Sequence, residues 1–364
     1  MKKYILALCL SLALGWTAEA QQLNTSMAVL DNGLKVIMLE NHKSPVVTFQ
    51  IWYKVGSIVE SSQQTGLTHL MEHMMFKGTE RYPKGEFSKI VARNGGTENA
   101  FTSDDYTAYF EKLSSDRLGL SLDLESDRMK NLKLEPREFA LELEVVKEER
   151  RSRSDDDPAA LAMEQLYALA FQVHPYHNPT IGWMSVLENL QFENLSQFYR
   201  NYYHPNNAVI VVVGDIASQQ LLPQIKQYFA PISQGEKPKR RIMVEPAQRG
   251  ERRMILRRPA QLPFLAIGYH APQLNHPDSY ALEMLANILS NGRSSRLYQD
   301  LIYDKRLAMY AEAFYNRIKT DPEMFGFAAG LQPGKEAGEV EAAIYAQVER
   351  IKAELVQDDE LAKA

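Results

Sequence analysis

One short segment combines the periodicity of a packed helix with three side chains that can do metal chemistry. Between residues 65 and 76, apolar residues recur at helical spacing, which predicts a helix buried against a core; they are Leu67, Leu70, Met71, Met74 and Met75. Inside this stripe the chain reads His69-Leu70-Met71-Glu72-His73. Residues four apart share a helix face, so His69 and His73 can present two imidazole nitrogens to one metal ion. The fold must therefore bury this helix and still open one face of it onto a site.

Glu72 stands three residues after His69 and lies toward the same side of the predicted helix. From there its carboxylate can reach a metal-activated water without occupying the metal, which is the position of a general base. The alternative is a pair of satisfied core histidines with no catalytic role, because a short motif match is only a hypothesis. The apolar flanks favour the metal interpretation, since both histidines then need a reason to be there.

A third ligand has to come from another element, and the helical stretch at residues 136–152 is the natural donor. Pro136 suits the first turn of a helix, where its missing N–H costs nothing. At about 100° per residue, Glu142 and Glu149 lie on nearly one face of that helix. The ordinary interpretation of these glutamates, and of Glu148, is a solvated helix face. The spacing leans toward Glu149 over Glu148 but does not decide between them.

The first twenty residues are typical of a secretory signal peptide. Lys2 and Lys3 precede an apolar run at residues 4–16, and a small-residue cleavage site follows at residues 18–20. The run is too short to span a bilayer comfortably, since a spanning helix needs about 20 residues. We therefore expect residues 1–20 to be removed and the protein to be exported. Cys9 is the only cysteine and lies in this leader, so the mature chain has no thiol or disulfide chemistry.

Charge and residue pattern divide the rest of the chain into two units. Without residues 1–20 the net charge is (41 − 2) − (46 − 1) = −6, which gives no general attraction to nucleic acid. Residues 21–232 place strands before several helices, a pattern that predicts an α+β unit with helices packed on a sheet. Residues 262–364 repeat the order strand, helix, strands, helix over a shorter length, and we expect this second unit to be incomplete.

Residues 233–261 are expected to be a linker between the two units. A basic nucleic-acid patch is one interpretation of this segment. A solvated connector is the other, and it is favoured because no aromatic stacking residues interleave the charges. From position 237 to 258 the basic residues are Lys237, Lys239, Arg240, Arg241, Arg249, Arg252, Arg253, Arg257 and Arg258.

In the His69–His73 motif and in several further segments, the chain resembles the pitrilysin/insulinase family of zinc metallopeptidases, the inverzincins. It is most similar to half-length bacterial members related to mitochondrial processing peptidase. The resemblance covers residues 25–364 almost without interruption. Its segments are Val55-Gly56-Ser57, residues 66–79 around the His69 motif, Gly95-Gly96-Thr97-Glu98-Asn99-Ala100-Phe101-Thr102, Asp105-Tyr106-Thr107-Ala108-Tyr109, Val145-Val146-Lys147-Glu148-Glu149, His174-Pro175-Tyr176 and Pro179-Thr180-Ile181-Gly182-Trp183.

The resemblance implies a zinc ion held by His69, His73 and a glutamate from the second helix. Distance along the chain admits both Glu148 and Glu149 as that ligand. Members of the family also keep a supporting glutamate seven residues before the ligand. Counting back gives Glu142 for Glu149 but Leu141 for Glu148. The resemblance therefore implies Glu149 as the ligand and Glu142 as its supporting residue.

The resemblance also implies how substrate is held, with one departure. The strand that carries Asn99 and Ala100 looks like the family's substrate-aligning edge, where an extended peptide adds as another strand. Similar enzymes carry an arginine and, seven residues later, a tyrosine in the second unit. Here those positions are Ile302 and Met309, which cannot donate a hydrogen bond. We therefore expect a related second subunit to supply that pair.

The sequence thus predicts an exported, periplasmic zinc endopeptidase that acts on peptides or unfolded segments. Its fold would be α+β, with two related units facing each other across a cavity. Glu72 would be the general base and acid. The alternative is a non-catalytic or chaperone-like subunit that keeps the fold but processes nothing. Tyr303 and Tyr310, which neighbour the Ile302 and Met309 positions, are expected to be packing residues.

Overall fold

The computed structural model describes residues 24–239 and 243–364. The predicted signal peptide and Cys9 lie outside the described residues. The first unit is built on a six-stranded sheet in the order β1-β2-β6-β3-β5-β4. Its strands are β1 (Thr25–Val29), β2 (Lys35–Glu40), β3 (Val46–Tyr53), β4 (Thr97–Thr102), β5 (Thr107–Ser114) and β6 (Ala208–Gly214).

One face of this sheet packs on helices. Along β3 every second side chain is buried, as expected where one face of a strand meets the core. β2 runs parallel to β6, and the other neighbouring strands pair antiparallel. The helices of this unit are α1 (Leu67–Met74), α2 (Glu86–Arg93), α3 (Leu118–Asn131), α4 (Pro136–Arg150), α5 (Pro158–Ala170), α6 (Met184–Leu187), α7 (Phe192–Tyr202) and α8 (Ser218–Phe229).

The second unit is smaller and repeats part of the first. Its sheet has the order β7-β9-β8, which matches the order β3-β5-β4 in the first sheet. The central strand β9 is buried along its whole length. The elements are β7 (Phe264–Ala271), α9 (Ser279–Ser290), β8 (Ala308–Tyr315), β9 (Glu323–Leu331), α10 (Ala337–Ala353) and α11 (Asp358–Lys363). The predicted α+β fold with two related units is therefore confirmed.

The two units touch directly. Helix α5 packs on β7, and a small apolar cluster of Phe171, Tyr176 and Met324 joins them. Beside it, the Lys319 ammonium donates to Asp104 in the turn between β4 and β5. The backbone N–H of Thr320 donates to Asp105 in the same turn, over 3.1 Å. A loop of the second unit thus holds the turn that follows β4.

Several residues of the described part of the linker contact the rest of the protein, although most of residues 243–261 are exposed. Glu245 accepts hydrogen bonds from the backbone N–H groups of residues 172–174, just after α5. Arg252 donates to the carbonyls of Leu169 and Ala170 at the end of the same helix. Arg253 forms an ion pair with Glu341. These contacts support the connector interpretation of this basic segment over a nucleic-acid patch.

One local expectation needs correction. Residues 298–304 form a π-helical turn. Tyr303 is 67% exposed on that turn, so it is not a packing residue. Tyr310 is 45% exposed, and its ring lies across Gly330, so one side of it packs.

Among the helices of the described residues, none combines the length and the apolar character needed to cross a bilayer.

Candidate metal centre

The start of helix α1 is fixed by a buried carboxylate and a glycine. Gly66, just before the helix, has φ +86°, and a Cβ there would lie 2.5 Å from the Ile181 carbonyl oxygen. A side chain is therefore excluded both by backbone geometry and by space. The Glu60 carboxylate accepts from the backbone N–H groups of Gly66, over 2.9 Å, and Thr68, over 2.6 Å. Helix termini leave such N–H groups without partners, so Glu60 acts as the cap.

The two histidines of α1 and one glutamate of α4 converge. His69, His73 and Glu149 each place a potential ligand atom within 4.8 Å of the others. The Nε2 atom of His73 lies 3.3 Å from Glu149 Oε2, and that of His69 lies 3.8 Å from Glu149 Oε1. The convergence arises because α1 packs against α4, which faces it with the glutamates at positions 142 and 149.

Glu142 fixes the ring of His73. The Nδ1 atom of His73 lies 2.9 Å from Glu142 Oε1. Since a carboxylate only accepts, Nδ1 carries the proton and donates it, which leaves the lone pair of Nε2 for a metal. Lys77, one helical turn after His73, donates to the other oxygen of Glu142. Glu142 thus holds this imidazole in the tautomer that can bind a metal, and Lys77 balances the negative charge of Glu142.

The surroundings shift the pKa values of His69 and His73 in opposite directions. Burial lowers the pKa of His69 to about 3, with smaller contributions from the positive charges of His73 and Arg153, so its ring is neutral near pH 7. Burial also lowers the pKa of His73, but its hydrogen bond to Glu142 and the nearby carboxylates outweigh burial and raise it overall. Carboxylates that favour a proton on this ring also favour a divalent cation beside it.

Glu72 lies next to these groups and is held by a strand residue. Thr102, at the end of β4, donates its hydroxyl proton to Glu72 Oε2. Burial raises the pKa of Glu72, and the hydrogen bond from Thr102 lowers it in part. A carboxylate with a raised pKa is a stronger base than a solvated one, which suits it to accept a proton near neutral pH.

The donor set fits a zinc ion. Two imidazoles and one carboxylate are a common three-ligand set for catalytic zinc, which leaves a further coordination position open. Among the described residues, the buried His69 Nδ1 has no hydrogen-bond partner. His69 is therefore not a satisfied core histidine, whereas His73 has its partner in Glu142.

Glu148 lies on a different face of α4. Its side chain is 73% exposed and pairs with Arg151 on the surface, whereas that of Glu149 is 16% exposed.

Arg150, which follows Glu149, is buried. It forms a two-point ion pair with Glu164 and donates to the Gly182 carbonyl. Gly182 in turn packs against Gly66 at the start of α1. Arg150 therefore ties the end of α4 to the beginning of the histidine helix.

Comparison with known proteins identifies the family. A family model described as insulinase, peptidase family M16, matches residues 35–183. A second model, described as the peptidase M16 inactive domain, matches residues 189–364. The chain is 37% identical over 339 residues to the zinc protease PqqE of Helicobacter pylori, which covers 92% of this chain and 76% of that protein. The chain belongs to peptidase family M16.

Two further comparisons support the M16 assignment. A crystal structure of a protease from Helicobacter pylori has a TM-score of 0.91 at 35% identity, and covers 94% of this chain and 83% of that one. A probable mitochondrial-processing peptidase subunit beta of Arabidopsis thaliana is 26% identical over 314 residues, which is 84% of this chain and 59% of that protein. The candidate metal centre of this M16 chain lies in the part matched by the insulinase model.

The remaining predicted site residues lie at two separate places. Asn99 and Ala100 are on β4, which forms one edge of the first sheet among the described strands. Asn99 is exposed, and Ala100 packs against the first core. Ile302 and Met309 belong to the second unit. Ile302 packs against the second core and Met309 is 52% exposed.

Sequence reasoning missed four residues around this M16 site: Thr102, Lys77, Glu60 and Arg153. Lys77 and Arg153 each stand four residues after a candidate ligand, His73 and Glu149, so helical spacing alone could have found both. Glu60 reaches the start of α1 from the loop just before it, and Thr102 reaches Glu72 from a strand 30 residues away. No local pattern marks such contacts.

Proposed function

We propose that this M16 chain is a zinc-dependent endopeptidase that hydrolyses extended or unfolded peptides. The observation that carries the proposal is the convergence of His69 and His73 with Glu149 from a second helix, with Glu72 beside them. The relationship to a protein named as a zinc protease supports both the metal and the reaction class. His69, His73 and Glu149 would hold the zinc.

The chain's own residues then have defined tasks. When bound, zinc supplies Lewis-acid chemistry to water and to the peptide carbonyl. Glu72 takes a proton from the attacking water on its carboxylate and passes it to the leaving amine nitrogen. The Thr102 hydroxyl donates a hydrogen bond to Oε2 of Glu72, so Oε1 is the oxygen that accepts that proton. Glu142 keeps the His73 ring in the tautomer that binds metal.

The edge strand β4 supports an extended substrate. Its outer edge is unpaired among the described strands, and β4 ends at Thr102, next to Glu72. An extended peptide that adds to this edge would form backbone hydrogen bonds along Asn99 and Ala100 and pass the catalytic carboxylate. Such binding selects for peptides and unfolded segments, because a folded protein seldom offers a free strand.

We further propose that the chain is exported to the periplasm and that it works with a related second subunit. Export to the periplasm rests on the leader at residues 1–20. A related second subunit is supported by Ile302 and Met309, which offer no hydrogen-bond donor, and by a relative that is named as a subunit. A non-catalytic or chaperone-like role is the competing proposal, and the same two residues are what favour it.

Metal removal tests the proposed function. Hydrolysis of an unstructured fluorogenic peptide should stop when the protein is dialysed against a chelator and return when zinc is added. His69→Ala should not regain activity, because a two-ligand site holds zinc poorly. Peptide binding without hydrolysis, alone or with a related subunit present, would contradict the peptidase proposal and favour the non-catalytic role. Undiminished zinc content in His69→Ala would contradict the ligand assignment.

A further inference from the structure

Arg153 stands at the open rim of the metal centre. It follows Glu149 by four residues, in the π-helical turn Arg151–Asp155 that continues α4. Its Nη1 atom lies 2.5 Å from Glu149 Oε1, yet its side chain is 74% exposed. The guanidinium is therefore close to the metal ligands and also accessible to a molecule that approaches them.

The other cation of the centre cannot have this role. The Lys77 side chain is only 12% exposed, and its ammonium is bound to Glu142. A guanidinium has five N–H donors, and Glu149 is the one carboxylate in ion-pair contact with Arg153 among the described residues. Most of its donors thus remain available on the side that faces solvent.

The second unit gives this site no cation of its own at the expected positions. Ile302 and Met309 stand where similar enzymes have an arginine and a tyrosine, and neither side chain donates. Ile302 packs into the second core. Arg153 is accordingly a cation that this chain can offer to a substrate at the proposed metal centre.

We propose that Arg153 binds a carboxylate of the peptide substrate close to the bond that is cleaved. A guanidinium matches a carboxylate with two parallel hydrogen bonds, which makes it selective for this group. The carboxylate belongs either to an acidic side chain or to a free C-terminus. The inference rests on the proposed peptidase function, and it specifies the class of peptide preferred.

Peptide binding without turnover provides the test. Zinc-loaded Glu72→Gln protein, with its zinc content measured, would be titrated with fluorescent peptides in matched pairs and followed by anisotropy. One pair differs by Asp or Asn in the middle of the peptide, and the other by a free or an amidated C-terminus. Arg153→Ala and Arg153→Lys would be compared in this background. Arg151→Ala is the matched control, because Arg151 lies in the same turn but pairs with Glu148 on the surface.

In at least one pair, the peptide with the carboxylate should bind about tenfold more tightly, the value of one good charged hydrogen bond. The pair that shows the preference identifies the source of the carboxylate. Arg153→Ala should abolish the preference at unchanged zinc content, Arg153→Lys should keep part of it, and Arg151→Ala should keep it all. No preference in either pair, or the same preference in Arg153→Ala, would overturn the inference. Absence of hydrolysis in the zinc-loaded wild type, even with a related subunit present and with the preference intact, would contradict the peptidase function alone.

Discussion

At the scale of single residues, the site illustrates which roles local sequence can reveal. His69, Glu72 and His73 lie on one helix, so their spacing predicts a shared site. Glu149 could be separated from Glu148 only through its supporting residue, Glu142. The structure places the two adjacent glutamates on different faces of α4, with Glu149 16% and Glu148 73% exposed. Thr102 could not be found, because its contact with Glu72 spans 30 residues and depends on the sheet.

The two neighbouring glutamates give a matched pair of variants. Glu149→Gln should weaken zinc binding strongly, since an amide is a poorer ligand than a carboxylate and the site keeps only two imidazoles. Glu148→Gln should leave zinc affinity unchanged, because Glu148 pairs with Arg151 at the surface. Competition with a chromogenic chelator measures both affinities. Loss of zinc from Glu148→Gln together with retention in Glu149→Gln would show that the ligand is the other glutamate.

At the scale of elements, the start of α1 depends on a contact that periodicity does not show. The apolar stripe predicts the helix, but the cap comes from Glu60 in the preceding loop. Burial raises the pKa of this carboxyl to about 8, and the charge of Asp104 adds to the effect. The folded protein therefore binds this proton more tightly than the unfolded chain does.

This capping carboxyl should make stability depend on pH. Because the folded-state pKa is the higher one, its contribution is complete below about pH 4.5 and is lost as the pH rises through about 8. Between pH 5 and 8.5, the free energy of unfolding of the wild type should thus fall relative to that of Glu60→Gln. Urea denaturation at several pH values measures the difference, with Glu148→Gln as an exposed control that follows the wild type. Parallel curves for Glu60→Gln and the wild type would contradict the assignment.

At the scale of the whole molecule, the repeat of elements along the chain was predictable, but the sheet order and the junction between the units were not. The order strand, helix, strands, helix can be read from both units, whereas the sheet order β3-β5-β4, which recurs as β7-β9-β8, depends on pairing between strands that are separated in sequence. The contact of Lys319 with Asp104 joins residues 215 positions apart, and the packing of α5 on β7 crosses between the units. Contacts of this range follow from the assembled fold rather than from any local pattern.

The composition of the second unit leads to an expectation about assembly. Ile302 and Met309 cannot stabilise the negative charge that develops on the peptide oxygen. Loss of one such donor typically costs about 10² to 10³ in rate. The chain alone should therefore turn over slowly, and a related subunit that carries the arginine and tyrosine should raise the rate. Turnover measured over a range of concentrations, with and without that subunit, checks this. Full activity of the single chain that no added subunit changes would contradict it.

The central claim is that a zinc site formed by two helices works together with Glu72. The most direct measurement is peptide hydrolysis and zinc content, determined on the same preparations of wild type and Glu72→Gln under the conditions of highest activity. The amide is nearly isosteric, so zinc should remain at about one ion per chain. Hydrolysis should fall by about 10² to 10⁴, because the amide cannot accept the proton from water. Near-normal turnover by zinc-loaded Glu72→Gln protein would contradict the account.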